Sequence, residues 1–552
     1  MSHFLHHYTL KFTPLSPLHI GADESYEPGN YVIDEEAGAL YSFDSNAALA
    51  GLSEVERQQL LAIVNGKPDD SMLTNVQAFF HRHREKLLAF AQSPIPTATG
   101  IKSLYEKRIG KTAQHEGHGK RVINKLEIDR TFYNPIDGKP LLPGSSIKGA
   151  IRTALLDGLN DNEPLKDRKE RNQQLQQRLF GDGKFHTDPM RLISIGDASW
   201  QGKQDKPACQ IRFAVNRKRK PVVKNGRLLQ SQAEVSNLYQ LLECVLPKHY
   251  QSFIGSLTFL DTQALSQDDR KLPKQSLHWN IKEVAKACNA FYMGLFWQEL
   301  QAMKERNYLD SEWQVFMEQS LESGLLKRLN DGDAFLLRLG RHSGAEALTL
   351  NGVRNIKIMK GRGEKPAWET QPKTWWLAAD DIGNKRDLLP FGWVLVEIDP
   401  QTPDTQLQQW LEKSNAEFAE WMQQQLSKQN ALKQQAELRQ KQEQARRQAE
   451  LQQAEDRRLK EEAEQQRLAS LSPIEQEIET FLKPVPLQEH DTRLLQELEN
   501  GRWQDTDAKV VAERIKALME QSAKWMPEFA GSNKQKLRFK ERSQKVLKYL
   551  QG

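Results

Sequence analysis

The sequence predicts an α+β fold over its first 400 residues, followed by a long polar helix and a small helical unit. Three observations carry this expectation. Short alternating apolar runs are interleaved with helical patterns at wide, irregular spacing. Gly and Pro vanish between about Gln406 and Ser470, where Gln, Glu, Ala, Lys and Arg dominate. Apolar residues then return at helical spacing after Pro473.

Strands are expected at Tyr8–Phe12, Asn30–Ile33, Leu40–Phe43, Leu192–Ile195, Ile211–Val215, Ser256–Leu260, Phe335–Leu339 and Trp393–Ile398. Helices are expected at Ser53–Val64, Asn75–Phe90, Ile147–Leu156 and Ile281–Met303. Such mixing suggests α+β units, ferredoxin-like sheets among them, rather than a sandwich or a bundle. Boundaries follow at 1–205, 206–400, 401–470 and 471–552. In the third segment Leu432, Leu438, Leu451, Leu459 and Leu468 keep no strict heptad, so a charged single helix or a weak coiled coil is expected, with a disordered linker the alternative. In the fourth, Ile474, Ile478, Phe481, Leu482, Trp503, Leu518, Trp525, Met526, Phe529, Leu537 and Leu547 could close a small core, and its end, Lys534 to Lys548, is basic.

A chain of 552 residues is too long for one ordinary domain. The formal charge of +5 neither demands nor excludes nucleic acid, because the distribution of charge matters more than its sum. Cys209, Cys244 and Cys288 lie far apart, with neither zinc-type spacing nor a disulfide framework, so reduced thiols are expected. The N-terminus shows no basic region followed by an apolar run, and no stretch approaches a membrane span. A cytoplasmic protein without membrane contact, cofactor or metal is the expectation.

The most informative stretch runs from Pro140 to Leu155. Pro143 and Gly144 make a turn, Ser145 or Ser146 is a natural N-cap, and Ile147, Ile151, Ala154 and Leu155 give the following helix an apolar face. Free amides at a helix start favour an anion. Lys148 and Arg152, four apart, project from one face and repel each other unless something negative lies beside them. Two readings stand: a phosphate backbone beside the serines and cations, or an ordinary capped helix with surface charge. The order Gly-Ser-Ser-Ile-Lys-Gly does not fit a Walker A loop, which excludes a P-loop nucleotidase.

A second glycine turn, Arg338-Leu-Gly340-Arg341-His342-Ser343-Gly344, follows a strand, with Arg354, Lys357, Lys360 and Arg362 downstream. Its glycines permit close backbone approach. Near the N-terminus, Ser16-Pro-Leu-His19-Ile-Gly21 follows the first strand, and His19 either faces a ligand or is a hydrogen-bonded structural histidine. The densest positive cluster is Arg212, Arg217, Lys218, Arg219, Lys220, Lys224 and Arg227, where Asn225-Gly226 signals a hairpin. Between Lys102 and Arg130 a basic loop carries His115 and His118, but no third metal ligand stands close.

Taken together, Leu142-Pro-Gly144-Ser145-Ser146-Ile-Lys148-Gly-Ala-Ile-Arg152, the opening Ser16–Ala22 and the turn Arg338–Gly344 resemble the RAMP superfamily of CRISPR proteins (repeat-associated mysterious proteins), in the family's order over about 400 residues. The layout looks most like the fifth Csm subunit of type III-A effector complexes. That resemblance implies two ferredoxin-like, RRM-related domains and a place at the 3′ end of the guide RNA (crRNA). It also implies packing against the repeating backbone subunit, other Csm subunits as partners, indirect contact with target RNA, and a part in guide maturation. His19, Gly21, Gly144, Ser145, Ser146, Lys148, Arg152, Arg338, Gly340, Arg341, Ser343, Gly344, Arg354 and Lys357 are the expected RNA contacts, with no catalytic residue. The tail after Pro400 lies outside the resemblance. The rival expectation is an endoribonuclease of the same superfamily, with His19, His115, His118 or His342 as general base or Asp129 in a cutting loop. A third reading makes the tail an interaction helix that recruits other factors.

Overall fold

The structure is a computed structural model. It describes residues 4–552 except 28, 112–113, 117–119, 123–125, 168–169, 182–183, 204, 248, 263–271, 322–323, 360–362 and 415. The chain divides into two compact units, 1–437 and 438–552.

The first unit is mixed α/β. Strand β1 (Leu5–Pro14) leads through a proline-containing turn into β2 (Gly21–Tyr26). After an insertion come β3 (Ile128–Thr131), β4 (Leu141–Leu142) and helix α1 (Gly144–Asn160). Then follow β5 (Ile193–Ile195), β6 (Ala198–Trp200), β7 (Cys209–Lys218), β8 (Tyr239–Val245) and β9 (Phe253–Leu260). Helix α2 (Ile281–Glu305) precedes β10 (Ala334–Arg338), β11 (Thr374–Ala379) and β12 (Trp393–Ile398).

These strands build two sheets. The larger has the order β10-β12-β1-β9-β6-β4, with β5 also on β9; the smaller has the order β2-β3-β8-β7-β11. In the larger, β1 pairs antiparallel with β9 (Leu10 opposite Gly255) and with β12 (Phe12 opposite Val396). Leu10, Phe12, Phe253 and Leu257 are fully buried there. Helix α1 buries Ile147, Ile151, Ala154 and Leu155, and α2 buries Val284, Cys288, Tyr292 and Phe296, in the same core. Burial of each Val, Leu, Ile or Phe among them contributes about 1.5–3 kcal/mol.

The boundary expected at 205/206 does not separate the sheets, since each takes strands from both sides of it. Two ferredoxin-like domains one after the other do not describe this pairing. The reason is that β1 is hydrogen-bonded along both edges, to β9 and to β12, so it sits inside a sheet whose neighbouring strands come from beyond residue 205.

An N-terminal insertion carries its own core, with Val32, Tyr41, Phe43, Phe79 and Leu87 buried together. The helix expected over Asn75–Phe90 is broken at His83 into Asp70–Arg82 and Arg84–Leu88. The polar segment is helical, as Thr405–Ser414 and then α3 (Ala416–Ser470). The start of α3 is held by side chains: Trp421 Nε1 donates to Ala37 O at 2.8 Å, Lys428 pairs with Asp34 at 2.7 Å, and Gln429 Nε2 donates to the carbonyls of Leu88, Ala91 and Gln92. Residues 441–467 are helical and exposed all round, Leu451 and Leu459 included. The second unit closes a core of Ile478, Leu482, Leu494, Trp503, Val511, Ile515 and Val546. Its last helix is α4 (Lys534–Gln551). Among the described residues no helix is long and apolar enough to cross a membrane.

Candidate nucleic-acid interface

After β1 the chain crosses from the larger sheet to the smaller through residues 15–20. Pro14 and Pro17 have no N–H to satisfy in this crossing. Its first residues are tied to the chain around Trp393: Leu15 N donates to Trp393 O at 2.8 Å, Trp393 N to Ser16 Oγ at 2.9 Å, and Gly392 N to Pro17 O at 2.9 Å. His19 is fully buried, with Nδ1 2.8 Å from the Glu243 carbonyl oxygen. That acceptor places the proton on Nδ1, and Nε2 has no partner. Burial pushes the His19 pKa down, so the ring is neutral near pH 7. His19 is thus the hydrogen-bonded structural histidine of the two expectations. A side chain at Gly21 would meet its ring at 3.7 Å.

Beneath it lies a carboxyl group that the sequence did not single out. Glu243 on β8 accepts from Tyr26 Oη at 3.0 Å and from the Thr131 amide at 3.1 Å. Burial raises its pKa to about 7, opposed by Arg130 and by these two donors. Arg130 stacks over Tyr26 and Tyr133, at 4.6 and 3.8 Å from their ring centres, and pairs with Glu24.

The second glycine turn packs directly on this crossing. Gly340 has φ +79°, and a Cβ there would overlap the His19 carbonyl oxygen. The Arg341 amide donates to that same oxygen at 2.8 Å. His342 stacks on Trp376 with ring centres 5.1 Å apart, and its Nε2 lies 2.8 Å from Gln240 Oε1. Burial, then the charge of Arg341, pushes its pKa to about 3. Ser343 is buried and Gly344 is left-handed beside Arg338. Arg338 does not face outward: it is buried, pairs with Glu299 at 2.7 Å, donates to Phe391 O and lies over Trp393. Arg341 does face outward. It is 42% exposed and pairs with Asp129 on β3. Arg354 is spent on Thr349, Glu346 O and Asn351, whereas Lys357 is exposed on a short strand. Lys360 and Arg362 lie outside the described residues.

The first glycine turn is built differently from the expectation. Pro143, not a serine, is the N-cap, and neither serine side chain caps α1. Asp197 Oδ1 accepts from the Gly144 amide at 2.6 Å, so an internal carboxylate takes the place foreseen for an external anion. Gly144 itself is required by packing, since a Cβ would overlap the Ile195 carbonyl oxygen. Arg152 is likewise answered from within: Asp188 and Gln176 accept from it and Phe180 lies 4.7 Å away. That negative neighbour relieves the repulsion with Lys148, which donates to Ile193 O at 2.8 Å and stays half-buried. Ser145 is exposed and Ser146 half-buried.

His19, Gly21, Gly340, Arg341 and Ser343 are brought together, but the two glycine turns are not joined. Helix α1 meets the segment after the second turn at its far end, where Asp157 accepts from the Asn351 amide at 2.6 Å. That point is about 20 Å along the axis from Gly144, at 1.5 Å per residue.

The basic cluster is also partly consumed. Arg217 is buried against the carbonyls of Ile382 and Asn384, Arg212 pairs with Asp380, and Arg219 pairs with Glu346. The Asn225-Gly226 hairpin forms, with both residues at positive φ and Lys224 and Arg227 exposed. His118 and the side chain of His115 lie outside the described residues. Among those described, no cluster of His, Cys, Asp and Glu could hold a metal. The three cysteines are free and buried. Tyr26, Arg130, Gln240, Glu243 and Trp376 were missed, because only strand pairing sets them beside His19 and His342.

A family model described as the RAMP superfamily matches residues 11–308. No curated protein matches. Among solved structures, a chain from a cryo-EM structure of a Csm–crRNA–target RNA ternary complex of a type III-A CRISPR-Cas system is similar at 17% identity and TM-score 0.43. That match covers 71% of this chain and 99% of the other. A crystal structure of Csm5 from T. onnurineus is similar at 16% identity and TM-score 0.42, covering 70% and 99%.

Proposed function

Since the chain belongs to the RAMP superfamily, with more than half its length matched, we propose that it is a crRNA-binding subunit of a type III-A Csm effector complex in antiviral defence. In this reading it caps the 3′-end side of the filament, packs on the repeating backbone RAMP subunit, meets target RNA only indirectly, and aids crRNA maturation in the cytoplasm without cutting RNA itself. Phosphate contacts fix register and leave sequence recognition to base pairing.

The observation that carries the reading is the second glycine turn: its backbone is welded to the His19 crossing, and the Arg341 guanidinium stands at the surface. A rigid turn holding an exposed planar cation suits a phosphate oxygen pair. Lys148, with Ser145 and Ser146 beside it, is a second, separate contact. The full burial of His19, and the seat of His342 between Trp376 and Gln240 with a pKa of about 3 that makes it a weak base, support a holding role over general-base chemistry.

The test replaces Lys148→Ala and Arg341→Ala together and purifies the assembled complex from cells. RNA occupancy is expected to fall for every guide sequence, with a changed distribution of guide lengths. Unchanged occupancy and length would sink the reading, and cleavage of labelled RNA by the isolated protein would move it to the nuclease alternative.

A further inference from the structure

The second unit separates its charge by element. Residues 473–533 hold twelve acidic and seven basic side chains, whereas α4 holds seven Lys or Arg and one Glu. Helix α4 is anchored from one side by Val546 and Ser543, both fully buried. Lys534, Arg538, Lys545 and Lys548 follow one another at i, i+4, i+11 and i+14, on a flank turned away from that ridge. Lys536 and Lys540 line the other flank.

Two of the seven cations have polar partners in the unit: Lys545 pairs with Glu499 at 2.7 Å and Arg542 donates to Thr492. Lys534, Lys536, Arg538, Lys540 and Lys548 meet no carboxylate within ion-pair distance among the described residues. Acidic side chains are plentiful in the unit but are engaged elsewhere. Glu479 meets Arg514, Glu477 meets Arg502 and Asp491 meets Lys524. Five uncompensated cations on one 18-residue helix repel one another and are stabilised by a polyanion.

Aromatic rings stand beside these cations. Trp525 and Phe529, in the segment leading into α4, are half-exposed. Lys516 lies 5.6 Å from the Trp525 ring centre and Lys536 lies 5.7 Å from that of Phe529. A track of cations beside half-open rings is what unpaired bases and their phosphates require. A duplex would offer the charge but no base faces to the rings.

We propose that α4 and the Trp525–Phe529 segment form a binding surface for single-stranded nucleic acid, sequence-independent and separate from the glycine turns. Phosphates run along α4 and bases stack on Phe529 and Trp525. This does not depend on the function proposed above, because it rests on a different unit.

The test uses the full-length protein and fluorescence anisotropy with labelled oligouridylate, at several salt concentrations. Lys534→Glu, Arg538→Glu, Lys540→Glu and Lys548→Glu combined should weaken binding at least tenfold at low salt. The slope of log affinity against log salt should become shallower by about 3, at about 0.7 for each phosphate no longer neutralised. Phe529→Ala should weaken binding several-fold with the salt slope kept. A matching set of Gln substitutions serves if circular dichroism shows the Glu set unfolded. An oligodeoxythymidylate arm tells RNA from DNA as the source of the strand. Unchanged affinity and slope in the charge variants would overturn the proposal. So would preferred binding of duplex, or binding confined to phosphatidylserine vesicles. Lys148→Ala with Arg341→Ala leaves the α4 slope in place, so failure of either reading is seen separately.

Discussion

The start of α1 and the turn after β10 carry the same ingredients in sequence: glycine, serine and a nearby cation. Their outcomes diverge. At α1 the helix start is closed by Asp197, and Arg152 is closed by Asp188 and Gln176. At the second turn the backbone is closed onto His19, and the Arg341 head pairs with Asp129 at the surface, where both side chains stay exposed. The difference teaches that a basic motif marks where charge is placed, while the depth at which its carboxylate partner is folded beside it decides how much of that charge meets solvent. Asp188 and Asp197 lie 36 and 53 residues from the groups they hold, beyond any local reading of the motif.

The sharpest way to break this comparison is Gly340→Ala. A left-handed φ and overlap with the His19 carbonyl oxygen should together cost at least about 3 kcal/mol, read as a lowered denaturation midpoint. The same change at Gly149 on α1, where the added Cβ meets open space, should cost nothing and gain up to about 1 kcal/mol of helix propensity. Equal stability of the two variants would mean the second turn is not welded to the crossing.

A somewhat smaller effect is expected from Glu243, which supports only the second turn's surroundings. Its folded pKa of about 7 lies above the ordinary 4.5, so the folded protein keeps a proton that the unfolded chain gives up. Its contribution is therefore full below about pH 4.5 and declines as the pH rises through 7. The ceiling is about 3 kcal/mol at 1.36 kcal/mol per unit. Glu243→Gln should remove this decline. Subtracting the variant's stability-against-pH curve from the parent's also cancels His19 and His342, whose lowered pKa values act in the opposite sense, that of His342 between about pH 3 and 6.5. A flat difference curve would contradict the burial argument.

The smallest stability effects sharpen the contrast between the two arginines. Arg152→Ala leaves Asp188 half-buried without its partner and should cost about 1–2 kcal/mol. Arg341→Ala removes an exposed pair and should cost less than about 1 kcal/mol, yet it should lower RNA affinity more than Arg152→Ala does. The reverse ranking of the two in RNA binding would reassign the interface to α1.

Strand and helix positions were legible where periodicity was strong. Trp393–Ile398 forms at the expected residues, and α2 runs Ile281–Glu305 against an expected Ile281–Met303. The polar helix was legible from the absence of Gly and Pro together with helix-forming composition. Less legible were β8 and β11, because Tyr239–Val245 is interrupted by Gln240 and Glu243 and Thr374–Ala379 lacks alternation, and both are placed by pairing on β7. The helix break at His83 and the Asp197 cap escaped for a related reason, being set by neighbours distant in sequence.

By itself, the sequence determined the α+β core followed by a polar helix, the helical final unit, the glycine positions and the family resemblance, because each is written in local composition, spacing or motif. Only the tertiary structure decided that both sheets take strands from either side of residue 205, that Arg152, Arg338 and Arg354 find partners within the chain, and that Gly340 packs on the His19 carbonyl oxygen. The physical reason is that an arginine's availability depends on the nearest carboxylate or carbonyl in space. That distance is fixed by strand pairing and packing rather than by position along the chain.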